Sequence, residues 1–395
     1  MDTVIIKVRK FQILRPERFT PEYKARTYRG LSESEQFSQK NYLRSFLLTP
    51  GPHDDYLPKI VIYESTAGLA KKIIYTMAIT FSVPKLIYGI GLEEAAPADL
   101  EKTCNLLEMR LRQVGIILKA DTIRTARVYA VHFCKNVLLP RDIRMQEIVR
   151  ELQKLDVNAT VDITGKEFKN GGNVLTVHSG VRQYSFYEKI ADIRRPKNKR
   201  FDKSDDGRER EILERLHLGK RQVLRYEYRL TRQSTVEKEI REVLRFDEDR
   251  PILFLNLFAP DLWRAMVMRS WRRLIDRQVN RLALNTEKDP VRILSAVLTA
   301  FKETGAQSAH SLNKALATYG LVRLIQEHGA KAATNSIREV WSDRHSERLT
   351  ARIDDAVRAL KEIGLSKALQ FVDGQLDRFE QITSQTIWKE VEYEG

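Results

Sequence analysis

The sequence has few cysteines and no long apolar run. Cys104 and Cys134 are the only two cysteines in 395 residues, which excludes a disulfide framework and predicts a reducing compartment. No stretch approaches the 18 apolar residues that a membrane-spanning helix needs. The N-terminal segment MDTVIIKVRKFQ lacks the apolar core of a signal peptide. The sequence therefore predicts a cytoplasmic protein with no membrane association.

Several common catalytic motifs are also absent from the sequence. Without a GxxxxGK[ST] phosphate loop, we expect no nucleotide cofactor. Without a CxxC pair, a zinc ribbon is excluded, and neither GxSxG nor HExxH is present. These absences direct attention to polar side chains on predicted strands.

Positive charge is plentiful. The 68 Lys and Arg residues outnumber the 53 Asp and Glu residues and give a formal net charge of +15. Because the basic residues are spread along the chain and not confined to one amphipathic helix or tail, a nucleic acid is favoured over a membrane surface as the partner. The length predicts two or three domains, and the 42% hydrophobic content is sufficient for packed cores.

The order of local patterns predicts an α+β fold in residues 1–248. Strands are predicted at 3–8, 59–65, 71–86, 126–139, in a hairpin around Gly180 (172–192) and at 222–232, and helices at 99–114 and 142–156. This order predicts an antiparallel sheet with helices on one face. The charged stretch 194–220 is predicted to form a loop.

Helical periodicity replaces the strand patterns in residues 249–395. Separate helices are predicted over 262–284, 292–305, 311–329 and 350–364. We therefore predict a second, all-helical domain that binds DNA or assists the first.

The segment VRQYSFYEK contains the candidate nucleophile. Period-2 alternation predicts that Tyr187 and Lys189 lie on the same face of a strand. A tyrosine hydroxyl beside a fixed ammonium is suited to attack a DNA phosphate and to hold the resulting phosphotyrosine. Tyr184 is the alternative nucleophile, but its odd offset places it on the opposite face, so that only one of the two tyrosines can face a site.

Candidate metal ligands follow on the same predicted sheet. His132 lies in VYAVHFCKN, Glu227 in LRYEYRL, and Asp192 three residues after Lys189. An imidazole with one or two carboxylates suits a divalent cation, Mg²⁺ or Mn²⁺, that polarises a scissile phosphate. Taken separately, His132 is also typical of a hydrogen-bonded sheet histidine, and Glu227 of an ion-pair ladder across strands.

Basic residues near these positions, and in the basic helical stretch after residue 262, are candidates for contacts with DNA phosphates. They are Arg225, Arg229, Lys135, Arg269, Arg272 and Arg273. A solvated basic face on a basic protein is the simpler interpretation of the helical arginines.

Four blocks, in order, resemble the replication initiators of filamentous phages, the gene II protein family. RVYAVHFCKN (127–136) is similar to the metal-site strand of the family, SFYEKIAD (185–192) to its Tyr-x-Lys-x-x-Glu block, VLRYEYRLTR (223–232) to its Arg-Phe-Glu-x-Arg strand, and NKALATYGLVRLIQEHGAKA (313–332) to a helical segment; FSVPKLIYG (81–89) also resembles a common segment. Two positions depart from the pattern: His132 stands where the family has an acid, and Asp192 where it has a Glu.

The resemblance implies an HUH-class endonuclease with an α+β core and Tyr187 as its nucleophile. The implied activity is rolling-circle initiation: a single-strand nick at an origin, a 5′-phosphotyrosine intermediate and rejoining of the displaced strand. Single- and double-stranded origin DNA, a divalent metal, and the helicase and polymerase of a bacterial host are the implied partners. Two alternatives remain open, namely a tyrosine nickase for mobilisation or transposition, and a non-catalytic DNA-binding repressor.

Overall fold

The structure is a computed structural model that describes most of the chain. The described residues are 1–25, 42–48, 56–67, 72–153, 165–169, 174–195, 207–216, 221–247, 249–275, 290–303, 309–328 and 366–392. They form a mixed α+β fold, as the sequence predicts. None of the helices within these ranges is both long and apolar enough to cross a membrane.

The strands, in chain order, are β1 (Thr3–Val8), β2 (Gln12–Ile13), β3 (Phe19–Ala25), β4 (Tyr42–Leu48), β5 (Lys59–Ala67), β6 (Lys72–Ser82), β7 (Ile116–Ile117), β8 (Arg127–Leu138), β9 (Gly165–Lys169), β10 (Val174–Ser179), β11 (Arg182–Glu188) and β12 (Val223–Leu230). The α-helices are α1 (Val83–Tyr88), α2 (Leu100–Gln113), α3 (Ala120–Arg124), α4 (Met145–Gln153), α5 (Lys189–Arg194), α6 (Arg208–Arg215), α7 (Gln233–Leu244), α8 (Leu262–Ile275), α9 (Pro290–Glu303), α10 (Ala309–His328), α11 (Lys367–Arg378) and α12 (Ser384–Glu392).

The chain divides into two compact units, each built from separated segments. Unit 1 consists of Met1–Leu138, Lys189–Val267 and Gln381–Gly395, and unit 2 of Leu139–Glu188 and Met268–Glu380. The sequence predicted one boundary after residue 248. The observed grouping differs because the C-terminal half contributes to both units, and one boundary falls inside α8.

Unit 1 contains an antiparallel sheet of seven described strands in the order β3-β4-β5-β6-β1-β8-β12. Alternation along β1 buries Val4, Ile6 and Val8, while the residues between them stay partly exposed. On this core face Phe81 of β6 meets the ring of Phe254 edge-on, with the ring centroids 5.7 Å apart. The strand pattern therefore separates an apolar core face from an opposite, polar face.

We call the opposite side of this sheet the polar face. The register of the strands aligns its members on β1, β5, β6, β8 and β12. They include Lys7, Tyr63, Thr76, His132, Arg225, Glu227 and Arg229.

Unit 2 contains the described strands β9, β10 and β11, and its hairpin turns at Gly180 with a φ of 52°. Helix α4 packs on β10 and β11, and α11 packs on α4. Helices α9 and α10 pack on each other through Ile293, Val297 and Val322. The hairpin predicted around Gly180 is confirmed, because glycine accepts the positive φ that the tight turn requires.

Most of the predicted elements are confirmed with shifted ends. The helix predicted at 99–114 is α2, and Gly115 follows it with a φ of 84°. The strands predicted at 3–8, 126–139 and 222–232 are β1, β8 and β12, and the helix predicted at 142–156 is described as α4 over Met145–Gln153. The helix predicted at 350–364 and residues 276–284 of the helix predicted at 262–284 lie outside the described residues.

The strand predicted at 71–86 is wrong beyond Ser82. There the chain enters α1, because the Ser82 hydroxyl accepts a hydrogen bond from the Lys85 amide (3.4 Å) and Pro84 stands in the first turn. A serine cap followed by proline is a helix start. The predicted loop over 194–220 is likewise wrong within Arg208–Arg215, which form α6.

The predicted strand face shared by Tyr187 and Lys189 is also wrong. Strand β11 ends at Glu188, and Lys189 is the first residue of α5. The buried side chains Ile190 and Ile193 follow a helical spacing of three residues. Period 2 therefore stops applying one residue before Lys189.

Candidate functional site

The polar candidates on β8 and β12 are brought together by antiparallel pairing. Arg229 lies opposite His132, Glu227 opposite Cys134, and Arg225 opposite Asn136. Because paired positions share a face of the sheet, these side chains form one cluster on the polar face. The sequence analysis identified His132 and Glu227 as separate candidates. The register between β8 and β12 places them on the same face of the sheet.

Glu227 is buried and ionised. Its side chain is 2% exposed, and its Oε2 accepts a hydrogen bond from Arg229 Nε (2.7 Å). Arg225 Nη1 lies 3.9 Å from its other oxygen, Oε1. Burial opposes ionisation, but the guanidinium groups of Arg229 and Arg225 hold the pKa of Glu227 below its usual value.

His132 is held neutral. Burial and the neighbouring Arg229 guanidinium lower the pKa of His132 to about 4, against the weaker opposing effects of Glu227 and Asp2. Its side chain remains partly exposed. At neutral pH it therefore presents an imidazole with a free electron pair next to a cationic side chain.

Arg225 is itself fully buried and forms the centre of a largely buried network. Its Nε donates to Asn136 Oδ1 (2.8 Å), its Nη1 to Asp2 Oδ2 (3.4 Å), and its Nη2 to the Gly91 carbonyl. Burial opposes the charge on Asp2, but Arg225 and Lys189 hold the pKa of this carboxyl well below its usual range. At 0% exposure, Arg225 has no surface open to DNA phosphates in this arrangement.

Lys189 extends this network through α5. Its Nζ lies 3.8 Å from Asp192 Oδ2, and burial together with Arg225 lowers the pKa of Lys189. Glu209 accepts a hydrogen bond from the Gly91 amide (2.8 Å) and forms an ion pair with Lys85. A Cβ at position 91 would lie 3.2 Å from both Lys189 Nζ and Glu209 Oε1, so glycine permits this close approach.

The two tyrosine candidates lie on β11 in unit 2. Tyr187 pairs in register with Val174 and is 9% exposed, whereas Tyr184 pairs with Val177 and is 0% exposed. Tyr187 is thus the more accessible of the two. It precedes Lys189 by two residues along the chain.

The remaining predicted DNA contacts lie in different environments. Lys135 is buried, with its Nζ 2.5 Å from Glu94 Oε2. Arg272 is partly exposed and forms an ion pair with Asp373 (3.1 Å) in unit 2. Arg269 and Arg273 lie on the same helix, α8, and are half-buried. Lys135, like Arg225, is an internal cation, whereas the α8 arginines reach the surface of unit 2.

The two carboxylates among the predicted metal ligands are engaged by cationic side chains in this arrangement. Glu227 is held by two guanidinium groups, and Asp192 faces Lys189 on a helix. Within the described ranges, no group of three or more His, Cys, Asp or Glu side chains is arranged to hold a metal ion. The metal dependence stays a prediction of the resemblance to the gene II protein family.

His132 predicts a pH dependence of stability. The unfolded chain binds a proton at this histidine below about pH 6.5, whereas the folded state resists protonation until about pH 4. This contribution is complete above pH 6.5 and is lost as the pH falls toward 4. We expect urea unfolding to show a loss of about 1–2 kcal/mol between pH 7 and pH 5.

His132→Gln should remove most of the fall in the free energy of unfolding between pH 7 and pH 5. His310→Gln, which changes an exposed histidine at the start of α10, is the matched control and should retain it. An unchanged pH profile in His132→Gln would contradict a neutral, partly buried imidazole.

Sequence reasoning missed Asp2, Glu94, Asn136 and Glu209. Asp2 stands immediately before the apolar alternation of β1, which is the one local signal that could have found it. Gly91 belongs to a GIG segment that lacks a dinucleotide fingerprint, but it admits the contacts of Lys189 and Glu209.

Comparison with protein-family models, with curated proteins and with solved structures finds no match to this chain. The likeness to the gene II protein family therefore rests on the sequence blocks given above.

Proposed function

We propose that this chain nicks and rejoins single-stranded DNA as a rolling-circle replication initiator of the HUH class. The observation that carries the proposal is the pairing of a neutral His132 with Arg229 across β8 and β12, on the polar face of the sheet. A proton acceptor beside a guanidinium is suited to reaction at a phosphodiester. The imidazole can accept the proton of the nucleophile, and the guanidinium can stabilise the negative charge of the phosphate. The net charge of +15 supports a polyanionic substrate.

In the proposed reaction Tyr187 is the nucleophile. Its phenolic oxygen loses its proton and forms a bond to phosphorus, while the bond from phosphorus to the 3′ oxygen breaks and that oxygen takes up a proton. The 5′ phosphate stays on the tyrosine, and the reverse transfer rejoins the strand without an external energy source. Lys189, two residues later, supplies positive charge on the same segment.

The test is the formation of a covalent adduct. A labelled single-stranded oligonucleotide from the intergenic region of the chain's own replicon is incubated with wild-type protein, Tyr187→Phe and Tyr184→Phe, each with Mn²⁺ or EDTA. We expect a protein–DNA adduct on a denaturing gel that falls by about 1000-fold or more in Tyr187→Phe alone. Loss only in Tyr184→Phe would keep the activity and overturn the assignment of the nucleophile.

The two metal conditions also test the cofactor. An adduct that forms only with Mn²⁺ would support the metal implied by the resemblance. Glu227 and Asp192 would then have to leave their cationic side-chain partners in order to bind the metal ion. An adduct of equal yield in EDTA would agree with the ion-paired arrangement described above.

A DNA-binding repressor without catalysis is the second candidate. The observation that favours it is the pairing of Glu227 and Asp192 with cationic side chains. It predicts DNA binding without an adduct from any variant. A nickase for mobilisation or transposition would give the same adduct as the initiator, but on transfer-origin or transposon-end DNA.

A further inference from the structure

A second cluster lies on the polar face of unit 1, with its centre on β1 and with no residue in common with the His132–Arg229 pair. The Nζ of Lys7 lies over the ring of Tyr129, 3.5 Å from its centroid, and 5.9 Å from the centroid of the Tyr63 ring. The three side chains come from β1, β8 and β5 and are all partly exposed. We call Lys7, Tyr63 and Tyr129 the aromatic platform.

Strand register explains why these residues meet. Lys7 lies opposite Ala78, and Tyr63 lies opposite Thr76, on the intervening strand β6. Small side chains at these two β6 positions leave the rings room above the sheet. The register between β1 and β8 shifts between Ile5 and Ile6, and this bulge turns Tyr129 toward Lys7.

The surroundings of the platform are basic. Arg127 lies opposite Lys7 and is exposed, and Lys59 is exposed on the same face of β5. The positions of β1, β5 and β6 that register assigns to the polar face within the described strands include no Asp or Glu. The platform therefore offers aromatic rings within a field of positive charge.

The electrostatics of the platform favour the uncharged form of Tyr63. Burial and the neighbouring Tyr129 raise the pKa of Tyr63, and burial lowers the pKa of Lys7. The ammonium over the Tyr129 ring is a cation–π contact that fixes the orientation of that ring. A preset aromatic surface loses little conformational entropy when a base stacks on it.

We propose that the aromatic platform binds single-stranded DNA by stacking bases on Tyr129 and Tyr63, with Lys7 and Arg127 facing the phosphates. This inference rests on the proposed function and names the part of unit 1 that would hold its substrate. A sequence-tolerant combination of aromatic rings and basic groups is how single strands are bound without base readout. In a duplex the base faces are already stacked on each other, so the platform would discriminate against paired DNA.

The experiment measures fluorescence anisotropy with a labelled single-stranded oligonucleotide and with the corresponding duplex, using the full chain in EDTA. Tyr129→Ala and Tyr63→Ala should each weaken single-strand binding by about 5- to 100-fold, and Tyr129→Phe should stay within about twofold of wild type. Lys7→Gln should lower the salt slope for the single strand by about 0.7. Tyr75→Ala is the matched control, because Tyr75 is 44% exposed on the core side of β6, and its affinity should equal that of the wild type.

Several results would overturn the platform. They are single-strand affinities of Tyr129→Ala and Tyr63→Ala within twofold of wild type, an equal loss in Tyr75→Ala, equal losses for duplex and single strand, and wild-type protein that binds no single strand. A loss in Tyr129→Ala that Tyr129→Phe shares would point to misfolding of the sheet and would also overturn it. Covalent adducts are scored separately, so that a selective loss of affinity without an adduct would keep the platform while the nicking proposal fails.

Discussion

Arg225→Met is expected to destabilise unit 1 by about 3–5 kcal/mol, because it removes one partner of a buried ion pair. The substitution preserves most of the side-chain volume, so the loss reports on the network and not on a cavity. It takes away the donors that reach Asp2, Asn136 and the Gly91 carbonyl. Urea unfolding at pH 7, followed by circular dichroism, measures the change in the free energy of unfolding.

The matched control is Arg112→Met on α2. Arg112 is 67% exposed and pairs with Glu108 one turn earlier (3.0 Å), so we expect a loss of about 0.5 kcal/mol or less. Asp2→Asn combined with Arg225→Met should recover part of the stability, since it removes the uncompensated carboxylate. Equal effects of the two Met substitutions would contradict a network centred on Arg225.

Glu94→Gln is expected to cost about 3–4 kcal/mol and to loosen the C-terminal segment of the chain. Its carboxylate faces the buried Lys135 ammonium (2.5 Å) and accepts hydrogen bonds from the amides of Asn136 (2.6 Å) and Ile382 (2.9 Å). Removing the negative charge leaves a buried ammonium without that compensation. Ile382 and Ile387 pack in a cluster that includes Ile190 of α5. We therefore expect the loss of stability to extend to α12, which contains Ile387.

Thermal unfolding and hydrogen exchange over residues 381–392 measure the two effects. Glu93→Gln is the control, because Glu93 is the neighbouring carboxylate and accepts a hydrogen bond from the Ser384 amide at the start of α12 (3.0 Å). We expect it to cost about 1 kcal/mol or less. If exchange over 381–392 in Glu94→Gln matched that of the wild type, Glu94 would not be the anchor of this segment.

These two substitutions also bear on the proposed activity. The Arg225 network supports Lys189, and the Glu94 network supports the segment that packs on α5, whose first residue is Lys189. A change in adduct formation without a change in folding would therefore identify a positioning role. The corresponding measurement is the adduct yield of Glu94→Gln at a temperature where both proteins are fully folded.

Regular elements could be predicted from local pattern alone. Alternating apolar residues in TVIIKV and VLRYEYRL identify β1 and β12, because period 2 is a property of each strand by itself. Gly115 identifies the end of α2 for an equally local reason. Local pattern failed at Ser82 and Glu188, where strand passes directly into helix without an intervening turn residue such as glycine.

The candidate site was predicted only in part. The sequence identified His132 and Glu227 as candidate metal ligands and Tyr187 as the candidate nucleophile, because residue types and short motifs can be read from the sequence. The surroundings of these residues could not be predicted, because they depend on contacts between distant parts of the chain. Arg225 contacts Asp2 across 223 sequence positions, and Lys135 contacts Glu94 across 41. Whether an arginine faces DNA or the interior depends on such distant partners and on burial, which no short motif records.

The sequence by itself determined the strongly basic character of this protein, its mixed α+β class and most of its strands and helices, because charge and periodicity are local properties. The tertiary structure alone decided that Arg225 and Lys135 are internal, that Lys189 begins a helix, and that Lys7 lies between two tyrosines from other strands. The free energy of a buried charge is set by the partners that the fold brings to it, and those partners come from strands far apart in the chain.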